Sequence, residues 1–192
     1  MSSHRHFIIQ KPLGYLSQFV TNQQIRKQKK LLGELHDFPE GTMAIGRLDL
    51  DSEGLLLLTT DGKESERIRS KDVEKEYYAQ LDGAITKEAL SQLQNGVVIT
   101  YSGKPYQTLP CKASILKTEP PFQPRTKRIR GDHHGPTTWI SITIREGKFR
   151  QIRKMTAAVG YPTLRLVRIR IGNIQMTDHI PGKVKEVERL EV

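Results

Sequence analysis

The stretch 46-GRLDLDSEGLLLLTTDG-62 sets four carboxylates, Asp49, Asp51, Glu53 and Asp61, around an uninterrupted apolar run. Three readings compete for it: a calcium loop, a structural turn, or a reactive carboxylate presented beside a buried strand. Its first letters favour calcium, since Asp49, Asp51 and Glu53 take relative positions 1, 3 and 5 with Gly54 at 6, as in an EF-hand loop. The rest disfavours it. Leu57 stands at position 9, and Thr60 stands at position 12, where a bidentate glutamate must close the shell, so a hard cation would meet leucines in place of oxygens. The run 54-GLLLLTTDG-62 instead predicts a strand apolar on both faces that stops at a D-G turn. A buried strand beside a polar turn is one way in which a fold holds a reactive side chain rigidly, and the structural-turn reading stays open beside it.

The bulk of the chain narrows the choice. Its 192 residues suit one domain or two small lobes sharing a core. The single cysteine, Cys111, excludes an intramolecular disulfide framework and a cysteine-based zinc cage and reads as a small core or strand residue. The longest aliphatic run, 55-LLLL-58, is far too short to cross a bilayer, and the start MSSHRHFII lacks a secretory pattern, so a soluble cytoplasmic protein is expected. Lys and Arg number 31 against 21 Asp and Glu, a formal charge of +10, which favours polyanionic partners and nucleic acid above all. The excess gathers in 26-RKQKK-30, 125-RTKRIR-130, 145-REGKFRQIRK-154 and 165-RLVRIRI-171, from which a continuous basic surface is expected.

Periodicity and turn residues give an α+β class, with a mixed and largely antiparallel sheet flanked by helices. HFIIQ reads as a strand ending at 11-KPLG-14, residues 22–32 as a weak helix, and KESERIRS as a short exposed helix. The stretch 73-VEKEYYAQLDG-83 predicts a strand with Tyr77 and Tyr78 on opposite faces, and TKEALSQLQNG a helix stopped by Gly96. VVITYSGKPYQTL, CKASILKT and WISITI read as antiparallel strands, and residues 119–137 as a long basic loop. A helix is expected over 149–162, and a last strand over TLRLVRIRIGNIQ, with leucines and isoleucines alternating against Arg165, Arg168 and Arg170. No repeat is visible. A single domain over 1–192, of two small lobes sharing one core, is the resulting expectation.

Few motifs offer other chemistry. His133 and His134 are adjacent and lack a third ligand at a recognised spacing, so no metal is expected. No G-x-x-x-x-G-K-[ST] or G-x-G-x-x-G occurs, which leaves a nucleotide cofactor without a seat, and Ser52 lacks a nucleophile-elbow context. Carboxylate chemistry on a nucleic acid remains, with Asp49, between Leu48 and Leu50, as its centre.

Taken together, 11-KPLG-14, 46-GRLDLDSEGLLLLTTDG-62, 75-KEY-77, 147-GKFRQIRKM-155 and 164-LRLVRIRIG-172 resemble the RsuA-like family of RNA pseudouridine synthases, in order and over nearly the whole chain. With no S4-type module expected ahead of these motifs, the chain is most similar to the RluE-like subgroup, which acts on large-subunit (23S) ribosomal RNA. The resemblance implies the pseudouridine synthase fold, no cofactor, a ribosomal RNA partner and Asp49 as nucleophile. It implies that Tyr77 packs against the target base, that Arg153 pairs with the catalytic carboxylate, and that Ile152 lines the pocket. Arg47 is implied to fill the space that a flipped base vacates. Lys11, Arg150, Lys154, Arg165, Arg128 and Arg130 are expected to contact RNA. One departure stands out: 148-KFRQ-151 replaces the R-N-R-Q of many relatives, so Phe149 takes the place of a polar residue.

A carboxylate suits the implied reaction because the ribose gains oxocarbenium-like character as uracil leaves, as in glycoside hydrolysis. The base must be flipped out to be reached. A non-catalytic RNA-binding or ribosome-assembly protein is the competing reading, and a monomer is the default state.

Overall fold

The computed structural model describes residues 4–20, 29–70, 73–125 and 134–192. The chain forms two compact units, Met1–Val73 with Val167–Val192, and Glu74–Leu166. Residues 22–28 of the helix expected over 22–32, with the basic residues 26–28, and Arg128, Arg130 and His133 lie outside the described residues.

The first unit begins with β1 (His6–Lys11), β2 (Tyr15–Leu16), β3 (Lys30–Leu31), β4 (Met43–Ile45) and β5 (Glu53–Thr59), followed by helix α1 (Gly62–Arg69). The predicted central strand is β5, and all seven of its residues are buried. Its neighbours explain why. β1 runs antiparallel along its full length, β4 pairs antiparallel with residues 57–59, and at its start Glu53 and Gly54 pair in parallel with Val167 and Arg168. A strand paired on both edges and covered on both faces has no use for polar alternation, which accounts for four successive leucines. Asp61 caps α1 by accepting from the Lys63 amide, and the helix is not wholly exposed as expected: Ser65 and Ile68 are buried, Ile68 in a core with Ile45, Leu55, Leu57, Ile171 and Leu190.

The second unit contains β6 (Lys75–Asp82), α2 (Lys87–Asn95), the hairpin β7 (Val98–Tyr101) and β8 (Lys104–Gln107), β9 (Lys112–Ile115), β10 (Thr137–Ile144) and α3 (Gln151–Ala158). β10 pairs antiparallel with β6 on one side and β9 on the other. Thr86 caps α2 and Gly96 ends it at φ 85°, as read from the sequence. Cys111 is half-buried just before β9 and its Sγ donates to the Leu93 carbonyl; burial pushes its thiol up to about 11. β11 (Thr163–Ile171) returns the chain from the second unit to the first, where β12 (Ile174–Gln175) and β13 (Val184–Val187) follow; β13 pairs with β1.

The α+β expectation holds, and four details differ. Lys30–Leu31 form a strand paired with Tyr15–Leu16, and Leu32, fully buried, opens a 3-10 turn where the helix was expected to end. The helix expected from residue 149 starts at Gln151, because Arg150 is left-handed at φ 54°. The last strand breaks at Gly172 and Asn173, and β12 folds back on β11. Within β11 the predicted alternation fails: Arg165 and Arg168 are 7% and 4% exposed, so burial runs unbroken from Arg165 to Arg168.

Candidate functional site

The segment that carries Asp49 is held by its backbone on both sides. The buried Ser17 hydroxyl accepts from the Leu48 amide at 2.9 Å and donates to the Leu48 carbonyl at 2.8 Å, using its donor and acceptor capacity on one residue. Past the aspartate, the Gly14 amide donates to the Leu50 carbonyl at 2.9 Å, and the Ser52 amide to the Asp49 carbonyl at 3.0 Å. Gly14, at φ 84°, makes the turn that brings its amide there, which gives the K-P-L-G motif a local purpose. Leu48 is buried and Asp49 half-exposed, so the side chain is presented from a fixed backbone; Arg47 is exposed.

Beside this turn lies a buried lysine. Lys11 ends β1 with 1% exposure, and its Nζ donates to the Pro12 carbonyl at 2.9 Å. Burial drives its pKa down to about 7 against the opposing pull of the Glu53, Asp49 and Asp51 carboxylates, and the Arg168 guanidinium lowers it further. Arg168 is buried too, and its Nε donates to the Leu55 carbonyl at 2.7 Å. Lys11, expected as an RNA contact, is buried here, near the carboxylates of the acidic turn. The alternation expected for its strand gave no signal for the burial of Arg168.

The lysine has a testable signature. Between about pH 7 and its ordinary value of 10.5, the unfolded chain holds a proton on Lys11 that the folded chain does not. Stability therefore rises with pH across that window, and the burial penalty is fully felt below it. Relative to Lys11→Met, the unsubstituted protein is expected to gain about 2 kcal/mol between pH 7 and 9, read by urea denaturation at both pH values. Parallel pH profiles for the two proteins would contradict this.

In the second unit, Tyr77 is buried on β6 opposite Ile142, while Tyr78 turns to the other face toward Phe122, at 6.1 Å between ring centroids. Arg165 lies 5.2 Å over the Phe122 ring, and its Nη2 donates to the Gln123 carbonyl at 3.0 Å. Arg153, on α3, is partly buried and donates through Nη1 to the Thr163 carbonyl at 3.1 Å; Ile152 beside it is buried. A polar brace sets the approach to α3. Buried Glu146 accepts from the Tyr106 hydroxyl at 2.6 Å, the Leu109 amide at 2.8 Å and Gln151 Nε2 at 2.6 Å, and Gln151 Oε1 accepts from the Lys148 amide at 2.9 Å. Residues 146–150 are thereby fixed without regular structure ahead of α3. The hydrogen bond to Glu146 also holds the Tyr106 phenol above its usual range.

Comparison with known proteins decides the family. Residues 5–158 match the family described as RNA pseudouridylate synthase. The chain is 38% identical over 98% of its length to the ribosomal large subunit pseudouridine synthase E of Vibrio parahaemolyticus, covering 76% of that protein. It is 41% identical over 86% of its length to the protein of the same name from Xanthomonas axonopodis pv. citri, covering 85% of it. The chain belongs to the RNA pseudouridylate synthase family. A crystal structure of a pseudouridylate synthase superposes with a TM-score of 0.76 at 25% identity, over 97% of this chain and 71% of that one.

Within that family frame, the first unit carries Asp49, Arg47 and Lys11, and the second carries Tyr77, Arg150, Ile152, Arg153, Lys154 and Arg165. Arg165, like Lys11, is held in the interior, so the run 165–171 contributes less to a basic surface than its letters suggest. Glu146 was also missed: its isolated position between Arg145 and Gly147 gives no hint that it joins a hairpin to a helix. Among the described residues no helix is long and apolar enough to cross a membrane.

Proposed function

We propose that this chain isomerises a uridine of large-subunit ribosomal RNA to pseudouridine, with Asp49 acting on the ribose. The observation that carries the reading is similarity over nearly the full chain to relatives named large-subunit synthases, combined with an aspartate whose neighbouring backbone is hydrogen-bonded on both sides. The reaction breaks the bond from ribose C1′ to uracil N1 and forms one from C1′ to C5. N1 gains a proton, C5 loses one, and nothing is oxidised or consumed.

Each proposed role follows from that balance. As the base departs, positive character grows at C1′, and the Asp49 carboxylate stabilises or captures it. The rigid turn keeps the carboxylate in place without reorganisation during the step. Tyr77 contributes an aromatic surface for the displaced base, offsetting an unstacking cost of roughly a few kcal/mol, and assists removal of the C5 proton. Arg153 contributes the positive charge that favours an ionised carboxylate where water is excluded. The surplus of basic side chains holds phosphates on either side of the target, with affinity that falls steeply as salt rises.

The substrate is tested with C5-tritiated large-subunit ribosomal RNA, free and in immature subunits. Tritium release, with one pseudouridine per RNA at a single position, is expected. Tight binding to both substrates without release would mark a non-catalytic RNA-binding or assembly protein instead.

A further inference from the structure

Phe149 is the only exposed phenylalanine, tyrosine or tryptophan among the described residues, at 67% exposure. It stands in the braced segment before α3, next to Arg150 with its left-handed φ of 54°. Its surroundings are cationic. Lys154 Nζ lies 5.5 Å from the Phe149 ring centroid and is tied to the Thr100 carbonyl of β7 at 2.8 Å. Lys148 Nζ lies 4.9 and 4.8 Å from the rings of Tyr101 and Tyr106, which meet edge to face across the β7–β8 hairpin. The hairpin 98–107 and the segment 147–154 contain Lys104, Lys148, Arg150, Arg153 and Lys154 and no acidic residue.

An apolar ring left in water is unfavourable, and the positive charge of Lys148 and Lys154 in the same segment attracts an anion. One ligand meets both: a nucleobase has an apolar face to lay on the ring, and its own phosphate answers the cations. An acidic peptide would satisfy the charges without a flat partner for the ring, and a duplex keeps its base faces stacked inside. We propose that Phe149, with Lys148 and Lys154 beside it, forms a stacking platform for one unpaired nucleotide of the RNA substrate, separate from the base that is isomerised. The platform deepens the function proposed above and rests on it for the identity of the RNA. The Glu146–Gln151–Tyr106 brace holds the platform in position before the RNA arrives, so little ordering is left to oppose binding.

The test compares Phe149→Ala and Phe149→Trp with the unsubstituted chain. Binding is followed by quenching of 2-aminopurine in a short single-stranded RNA, with a duplex of the same sequence as control, and KM and kcat come from tritium release on ribosomal RNA. Phe149→Ala is expected to weaken single-strand binding and raise KM by about tenfold, with a smaller change in kcat and none in melting temperature. Its salt dependence should stay unchanged, because a stack carries no charge, and Phe149→Trp should restore binding. Equal affinity and KM in the alanine variant, or equal weakening by alanine and tryptophan, would overturn the platform and leave the isomerase reading intact. Phe149-dependent binding by a chain that releases no tritium would do the reverse.

Discussion

Gly54→Ala is expected to cost about 4 kcal/mol or more, enough to leave little folded protein at 37 °C. Gly54 sits at φ 103°, where a side chain is strained in any surroundings. A Cβ there would also lie 2.3 Å from the Arg168 carbonyl oxygen, 2.8 Å from its amide nitrogen and 2.9 Å from Val167 Cγ1. Two of those atoms are backbone, in the strand that pairs with β5 at this point, so relief requires separating the strands. Gly46 provides the control. It has φ 72° and nothing within 4 Å of a built Cβ, so Gly46→Ala carries only the left-handed penalty of about 1 kcal/mol. Urea denaturation of the two variants side by side checks the difference, and similar midpoints would contradict it.

Asp49→Asn is expected to lower the isomerisation rate by about 10⁴-fold or more while leaving the fold and RNA affinity nearly unchanged. The amide keeps the shape of the carboxylate but lacks the charge that answers a developing oxocarbenium ion and the nucleophilicity to capture C1′. The backbone hydrogen bonds of the turn and the bonds of the Ser17 hydroxyl to Leu48 are left in place by asparagine. A secondary effect follows from the buried lysine. The Asp49 carboxylate is one of the three that resist the lowering of the Lys11 pKa, so its loss moves Lys11 further down. Glutamate is no substitute: with the backbone pinned at Leu48 and Leu50, one added methylene displaces the carboxylate from a position the turn cannot adjust.

Much of this was legible in the letters, for physical reasons that differ from element to element. β5 was legible because a strand covered on both faces needs an unbroken apolar run, and α2 because Thr86 and Gly96 mark its ends by capping chemistry. The Asp49 turn was legible as a whole motif, whereas its four acids alone could not separate calcium from carboxylate chemistry. The interior charges were not legible. Lys11, Arg165 and Arg168 look like surface residues in sequence, since burial of a cation is decided by distant partners: the carboxylates around Lys11, the Leu55 carbonyl for Arg168, and the Gln123 carbonyl and Phe122 ring for Arg165. The start of α3 was misplaced by two residues for a similar reason. The Glu146–Gln151 bond joins a turn to a helix, and no periodicity reports it.

The central claim is that isomerisation runs through Asp49. It is tested most directly by single-turnover tritium release from C5-labelled large-subunit ribosomal RNA, with the unsubstituted chain and Asp49→Asn at equal, saturating concentration and RNA binding measured in the same samples. Release approaching one tritium per RNA by the unsubstituted chain, and none by a variant that still binds, is the predicted result. Release by Asp49→Asn at a comparable rate would contradict the account.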